Sequence, residues 1–191
     1  MPTKENKVRF NLKNVHYAIA TEDDAGGYTY STPIPWPGAK TLTQDPEGEQ
    51  NEFYADGIKY YVSYGNNGYS GSLEMARIID QFRVDVLGEK YDTNGVLVER
   101  ADVHTVVFAL LFEFDGDQKS RRHVLYNVQA GRPGVSGQTT EGSREPNTES
   151  IDISSSPMRN GLVKAQTTPQ TTDETYDNWY KQVYVPQEAT E

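Results

Sequence analysis

Histidine is the residue type best suited to acid–base or metal chemistry in this chain, and the sequence has only three. His16, His104 and His123 lie far apart, and no two of them have the spacing of a metal-ligand pair. A zinc site would need them to meet carboxylates from separate strands, and ordinary strand positions are the simpler interpretation. We therefore predict no catalytic residue, no metal site and no bound cofactor.

Two glycine-containing motifs resemble ligand loops only in part. The segment Asp92-Thr93-Asn94-Gly95 with Glu99 partly resembles an EF-hand calcium loop. Compared with that loop, the glycine comes too early in the sequence and the glutamate is too close to the first aspartate. The glycine-rich run 65–71 would need a following Lys-Ser/Thr and a helix to hold a phosphate, and a strand-like segment follows instead. Both motifs predict turns.

The nucleophile and carboxylate candidates give no catalytic pattern either. Ser136 and Ser143 lie in a Gly- and Pro-rich segment without a nucleophile elbow. The 28 acidic side chains do not exclude a glycosidase pair by count, but nothing places two of them across a cleft, so a solvated acidic face is the default. We predict that the chain is not an enzyme.

Arg121-Arg122-His123 is the densest basic stretch of the sequence. It is too small for a nucleic-acid site, and we expect it to offset Asp115 and Asp117 across a hairpin. The whole chain has a net charge of −10, which repels phosphates and argues against a protein that grips DNA.

Composition indicates a polar chain that still folds. Its 191 residues suffice for one domain with a core, and 13 tyrosines supply rings suited to half-buried sheets and interfaces. Without cysteine, disulfides and thiolate metal sites are not available. Residues 1–7 lack the apolar core of a signal peptide, and no apolar run reaches membrane-helix length. We expect folding in the cytoplasm.

Alternating apolar residues predict most of the strands. Residues 8–12 alternate, and the apolar phase then switches at 15–19, which predicts either a bulge at Lys13-Asn14 or two short strands that face differently. Residues 105–114 form the core strand, with apolar residues on both faces. Residues 78–87 match one face of a helix that Gly88 would end.

The remaining segments complete a mostly β prediction. Strand 58–64, with Ile58, Tyr60, Val62 and Tyr64 on one face, turns at 65–68 into a return strand that ends near residue 76. Further strands are expected at 150–154, 162–167 and 179–185, and long loops near 21–52 and 131–150. We predict one domain, 1–191, an antiparallel β-sandwich or partly closed barrel with one short helix.

A series of short segments, in order along most of the chain, resembles the phi13-type major tail proteins of long-tailed bacteriophages. The segments include residues 8–18, 36–39, 87–96, 108–113 and 132–133, and the central block and the end of the chain contribute Tyr54, Asp56, Gly57, Asn67, Gly68, Tyr69, Gly71 and Trp179. No single segment is diagnostic, but their order is specific. The resemblance implies a structural virion protein.

Such proteins are tail-tube subunits, and the resemblance carries their properties as expectations. Two packed sheets would flank a helix, and six copies would form rings that stack into a tube, assembled in the host cytoplasm. The partners would be the tape-measure protein, tail terminator and baseplate proteins, with transient, non-sequence-specific passage of DNA and no membrane. The eight residues of the central block and chain end would serve structure and assembly.

Two further expectations follow from combining the resemblance with physics. One of the long loops would order on the neighbouring ring, and acidic residues would concentrate on the lumen so that DNA slides rather than sticks. The rival interpretation is a carbohydrate- or receptor-binding sandwich, with Trp36 and Tyr69 stacking on sugar rings. A glycosidase-like enzyme is a third interpretation, with weaker support.

Overall fold

The computed structural model describes residues 4–22, 27–137, 139 and 146–186. Within them the elements, in chain order, are β1 (Arg9–Glu22), β2 (Tyr28–Tyr30), β3 (Ile34–Pro35), β4 (Ala39–Glu47), β5 (Gln50–Ala55), β6 (Ile58–Tyr64), β7 (Gly68–Met75), α1 (Asp80–Asp85), β8 (Lys90–Tyr91), β9 (Leu97–Val98), β10 (Phe108–Gly116), β11 (Arg121–Ala130), β12 (Glu149–Ser155), β13 (Lys164–Gln166) and α2 (Asp173–Asn178).

One large antiparallel sheet dominates the fold. Its strands run in the order β2-β1-β10-β11-β12-β7-β4, with β3 added to β1 and β13 added to β11. The predicted mostly β, antiparallel class is confirmed, and in the described part of the chain the sheet does not close into a barrel. The structure has two short helices where the sequence predicted one.

The central strand β10 is buried on both faces, as its apolar pattern predicted. Phe108, Leu110 and Phe112 face a first core that includes α1. Ala109 and Leu111 face a second, smaller core that the C-terminal segment covers. Strand β10 is therefore held between two layers, and each layer buries apolar surface against it.

Helix α1 packs on the first core through one aromatic side chain, that of Phe82. Phe82 is fully buried, and its ring centroid lies 5.1 Å from Tyr17, 4.1 Å from Trp36 and 5.5 Å from Phe108. Gly88 follows the helix with a φ of 74°, a left-handed conformation that glycine adopts without strain. The helix predicted at 78–87 is confirmed with closer bounds.

The switch of apolar phase in β1 is a bulge. Pairing with β10 shifts register between Lys13 and His16, and Asn14 has a φ of 51°. Of the two predicted alternatives, the bulge at Lys13-Asn14 is correct.

The loop predicted at 21–52 is wrong over most of its length. Strand β1 continues to Glu22, positions 23–26 lie outside the described residues, and β2, β3, β4 and the start of β5 follow. Proline density suggested an extended loop, but Pro35 lies in a two-residue strand and Pro46 in the outermost strand of the sheet. Proline is compatible with such edge positions because no ladder partner needs its missing N–H.

The C-terminal prediction also needs correction. Helix α2 forms between the strands predicted at 162–167 and 179–185, and Thr172 caps it by accepting a hydrogen bond from the Thr175 N–H at 3.3 Å. Residues 179–186 form no strand. The strands predicted at 150–154 and 162–167 are confirmed as β12 and β13. Described residues of 131–148 have no regular structure, Ser136 among them, while Ser143 lies outside the described residues.

Candidate assembly surfaces

A long β-ribbon leaves the sheet at its β4–β7 side. The β5–β6 ladder is a separate two-stranded sheet, and two backbone hydrogen bonds bridge the gap to the β4–β7 ladder: the Asn67 N–H donates to the Glu47 carbonyl at 2.7 Å and the Gly65 N–H to the Glu49 carbonyl at 3.0 Å. Residues 48–65, here called the arm, therefore project from the sheet by about 20–25 Å, from the rise of seven strand residues.

The arm turns at Asp56-Gly57, not at the predicted 65–68. Both turn residues have positive φ, 52° and 76°, as a two-residue turn of type I′ requires. The predicted pairing of 58–64 with the following strand is wrong, since β6 pairs with β5. The missed signal was Asp-Gly itself, flanked by strand-forming residues, which is the strongest short-range hairpin signature.

One face of the arm carries a polar network centred on Glu52. Its carboxylate accepts hydrogen bonds from the Tyr54 hydroxyl at 2.7 Å, the Gln50 amide at 2.8 Å and the Lys59 ammonium. The bonds from Lys59 and Tyr54 lower the pKa of Glu52. All of these side-chain bonds stay inside the arm, so the network stiffens the arm without attaching it to the sheet.

The other residues of the arm expose an unusual amount of apolar surface. A register shift leaves Tyr60 without a cross-strand partner in β5, so the alternation predicted for 58–64 is interrupted at this position. Six large side chains of the arm are 59–75% exposed: Phe53, Tyr54, Ile58, Tyr60, Tyr61 and Tyr64. Together they offer roughly 600–900 Å², taking about 150–250 Å² for each such side chain. A two-stranded ribbon of this kind is marginal in water without a surface to pack on.

Glycines at the root of the arm let neighbouring strands approach closely. Gly68 has a φ of 108°, and a Cβ there would lie 1.8 Å from the Ser155 carbonyl oxygen. A Cβ at Gly71 would lie 2.0 Å from the Thr43 carbonyl oxygen. These two motif glycines therefore let β7 lie close to β12 and β4 within the sheet.

The eight motif residues thus separate into three places. Tyr54, Asp56 and Gly57 lie in the arm, and Asn67, Gly68 and Gly71 lie at its root or in β7. Tyr69, also in β7, is half-buried, with the Lys164 ammonium 4.1 Å from its ring centroid. Trp179 is distant from all of them, buried in the second core.

Strands β12, β7 and β4 present a face of small hydroxyls and carboxylates. Its three cross-strand rows are Ser150–Glu74–Thr41, Asp152–Ser72–Thr43 and Ser154–Ser70–Asp45. Lys40, which bonds Glu74 at 2.8 Å, is the cation on this face among the described residues. Alternate residues of the same strands, such as Leu73 and Ile151, fill the first core. The alternation of side chains along all three strands therefore makes the outer face polar and acidic.

A buried charge network fastens the C-terminal segment to the second face of the sheet. Glu113 is 3% exposed and accepts hydrogen bonds from Arg122 Nε at 3.0 Å, Asn14 Nδ2 at 2.8 Å and the Tyr180 hydroxyl at 3.2 Å. Arg122 also lies over the ring of Tyr176, 3.8 Å from its centroid. A lone charge within the apolar run of β10 was the sequence signal for such a network, and it was missed.

The basic stretch does not offset the carboxylates that the sequence suggested. Arg122 pairs with Glu113, while Asp115 pairs with Lys13 and Asp117 accepts from the Lys7 backbone N–H at 2.8 Å. The charge of Glu113 is therefore paired within the network and serves packing.

His123 lies at the mouth of the first core, stacked on Phe112 with ring centroids 5.1 Å apart. Burial, reinforced by the positive charge of Arg121, Arg9 and Lys164, lowers its pKa from 6.5 to about 4. The folded chain therefore keeps this imidazole neutral at pH values where the unfolded chain protonates it.

Replacement of His123 should change how stability depends on pH. Between pH 6.5 and 4, His123 is protonated in the unfolded chain and neutral in the folded chain. The contribution of His123 to the unfolding free energy is therefore fully present above this pH range and is lost as pH falls through it. We expect about 2 kcal/mol less unfolding free energy at pH 5 than at pH 7 from this group. His123→Phe keeps the stacked ring and should remove this loss of unfolding free energy between pH 7 and pH 5, as measured by urea titration at each pH. An equal loss in the variant and the wild-type chain would contradict the prediction.

Among the described residues no group of three or more His, Asp or Glu side chains is placed to hold a metal ion. No helix in the described part of the chain is long and apolar enough to cross a membrane. The sugar-stacking residues of the rival interpretation are also poorly placed, because Trp36 is 1% exposed and Tyr69 lies beneath Lys164.

Comparison with known proteins gives a loose structural likeness. No family model matches the chain, and no curated protein matches it significantly. A chain of the anti-feeding prophage baseplate overlays with a TM-score of 0.47 and 12% identity, over 88% of this chain and 99% of that one. The anti-feeding prophage tube-terminating cap gives 0.41 and 10%, over 86% and 96%. The sheath/tube terminator of the extracellular contractile injection system PVC gives 0.42 and 9%, over 85% and 99%. At these values the likeness establishes no function.

Proposed function

We propose that this chain is a structural subunit of a phage-type tail, which assembles with copies of itself into hexameric rings stacked as a tail tube. The resemblance to phi13-type major tail proteins motivates the tube, the ring of six and the virion location. The physical case rests on surfaces of the chain that are suited to self-association.

The exposed arm is the observation that carries the proposal. Its six large side chains offer an area close to the ~800 Å² per partner of a standard protein interface. The side-chain hydrogen bonds of Glu52 with Gln50, Tyr54 and Lys59 are internal to the arm. An extended ribbon with such a surface is best explained as an element that packs on a neighbouring subunit.

Two open sheet edges favour closure through strand pairing. Among the described residues, β4 has a ladder partner only in β7, and residues 9–14 of β1 have one only in β10. Exposed edges of this kind template association with other chains. Pairing β4 of one copy with β1 of the next would use different surfaces on each copy and would close into a ring.

The hydroxyl and carboxylate face of β12, β7 and β4 is the proposed lumen wall. Asp45, Glu74 and Asp152 give it negative charge, with Lys40 as the opposing cation. DNA phosphates bind cation-rich surfaces tightly, whereas an acidic wall of short side chains would let the polymer pass. A lumen dominated by Lys and Arg would contradict this assignment.

The further partners are those of a tail tube: the tape-measure protein inside it, and terminator and baseplate proteins at its ends. Negative-stain electron microscopy of the purified chain tests the proposal. Rings of six or tubes are expected, and turnover of glycans, or a monomer that binds glycans at every concentration, would contradict it.

A further inference from the structure

A cationic cleft lies beside His123, at the end of the sheet where β10 runs into β11. It has a volume of about 320 Å³ and is lined by the N-terminal segment together with β10, β11 and β13. Lys7, Arg9 and Arg121 supply its positive charge, and Phe114 supplies an aromatic wall. The proposed function as stated gives this cleft no role.

The cations of the cleft lack ion-pair partners, in contrast to most others in the chain. Within the described residues, Lys7, Arg9 and Arg121 have no carboxylate within 4.0 Å, and neither does Lys164 nearby. Glu5 is the carboxylate among the lining residues. Three of these cations, Arg121, Arg9 and Lys164, lie close enough to His123 to lower its pKa. Such a cluster in a chain of net charge −10 calls for an acidic partner.

The arm and its root carry the complementary set. Glu47, Glu49 and Asp56 have no cation within 4.0 Å among the described residues. Lys59 is the basic residue of the range 45–64, and Glu52 already holds it. The arm therefore presents free carboxylates together with exposed aromatic rings.

We infer that the cationic cleft is the docking site for the arm of a second copy of this chain. Free carboxylates would meet free cations, and arm tyrosines would add faces for cation–π contacts. Cations around the cleft already bind rings in this way, with Arg9 4.9 Å from the centroid of Phe114 and Lys164 4.1 Å from that of Tyr69. The inference rests on the proposed function for the use of the arm and adds the surface that receives it.

The contact would be head-to-tail, because arm and cleft are different surfaces of one chain. Each copy would give one arm and receive another, so the contact propagates into a ring or a stack. A copy that lacks either the arm or the cleft should still bind one neighbour through the surface that remains, but it should not bind a second.

The inference is tested with two variants, one that retains only the cleft and one that retains only the arm. Joining Gly48 to Gly65 removes the arm and keeps the cleft, while Arg9→Glu with Arg121→Glu reverses the cleft and keeps the arm. We expect each variant alone to remain monomeric, and their mixture to form a 1:1 complex by light scattering. Salt should weaken the complex. Circular dichroism verifies that both variants fold.

A charge swap makes the test specific. Glu47→Lys with Glu49→Lys should weaken self-association at least about 30-fold, and an equimolar mixture with the cleft-reversed variant should restore it. As a matched control, Asp177→Lys with Lys181→Glu, on exposed residues of the C-terminal region, should change nothing.

The outcomes separate this inference from the proposed function. If the cleft-reversed variant assembles as well as the wild-type chain does, the inference is overturned and the proposed function stands. A wild-type chain that stays monomeric, with no complex in either mixture, would overturn both. Binding of a duplex oligonucleotide to the cleft of the arm-deleted variant, without binding of the arm, would also overturn the inference.

Discussion

A variant that joins Gly48 directly to Gly65 should fold as a monomer and lose self-association by at least about 100-fold, or about 3 kcal/mol. The deleted residues 49–64 contribute no side chain to either core. The new connection between β4 and β7, Gly48-Gly65-Asn66-Asn67, has four residues, a length that hairpin loops accommodate. The sheet therefore keeps its packing while the exposed apolar surface disappears.

Sedimentation velocity at several concentrations measures the effect, and point variants localise it. Tyr61→Ser removes one exposed ring of the arm, and Tyr91→Ser removes a ring of similar exposure, 62% against 54%, away from the arm. We expect weakened association only for the first. Oligomers of unchanged size in the deletion variant would show that the arm is not an assembly element.

Loss of the buried carboxylate should cause a large stability change. Glu113→Ala leaves Arg122 with 18% side-chain exposure and no acidic partner, and we expect a cost of about 3–5 kcal/mol. The double variant Glu113→Ala with Arg122→Ala should cost less than the sum of the single changes, because the two groups are coupled.

The location of the damage distinguishes this network from general packing loss. Arg122 donates to the Tyr176 carbonyl and lies over its ring, so the segment from α2 to residue 185 should loosen first. Hydrogen exchange should speed up there and at Trp179 before it does in β7 or β12. A cost below about 1 kcal/mol, or uniform exchange across the chain, would refute the role of the network.

The parts of the fold that follow from local pattern were predictable. Residues 105–114 show apolar residues on both faces and form the strand held between two cores. The phase switch near Lys13 predicted either a bulge or two strands that face differently, and Gly88 predicted a helix end. In each case neighbouring residues contain the whole signal.

The errors arise where pairing partners decide the structure. Tyrosine alternation in 58–64 fits a strand in any sheet, but the choice of β5 over β7 as its partner depends on the turn at Asp56-Gly57. Trp179 favoured a strand by composition, whereas the buried Glu113 network holds its segment in an irregular path. Long-range contacts of this kind leave little trace in local sequence.

The assembly surfaces were predictable only in part. The sequence indicated that tyrosine rings suit interfaces, and it predicted that one of the two long loops, 21–52 or 131–150, orders on the neighbouring ring, which stays a prediction. It did not indicate that 48–65 forms one exposed ribbon, because exposure depends on what the rest of the chain leaves uncovered. Cleft and arm become complementary only once the unpaired charges are known.

Hydrogen exchange of the arm amides across a concentration series is the most direct test that another copy covers the arm. We predict that amides in β5 and β6 exchange rapidly in dilute protein and become protected at the concentration where rings or tubes appear. Arm amides that exchange equally fast in monomers and in assembled protein would contradict the central claim.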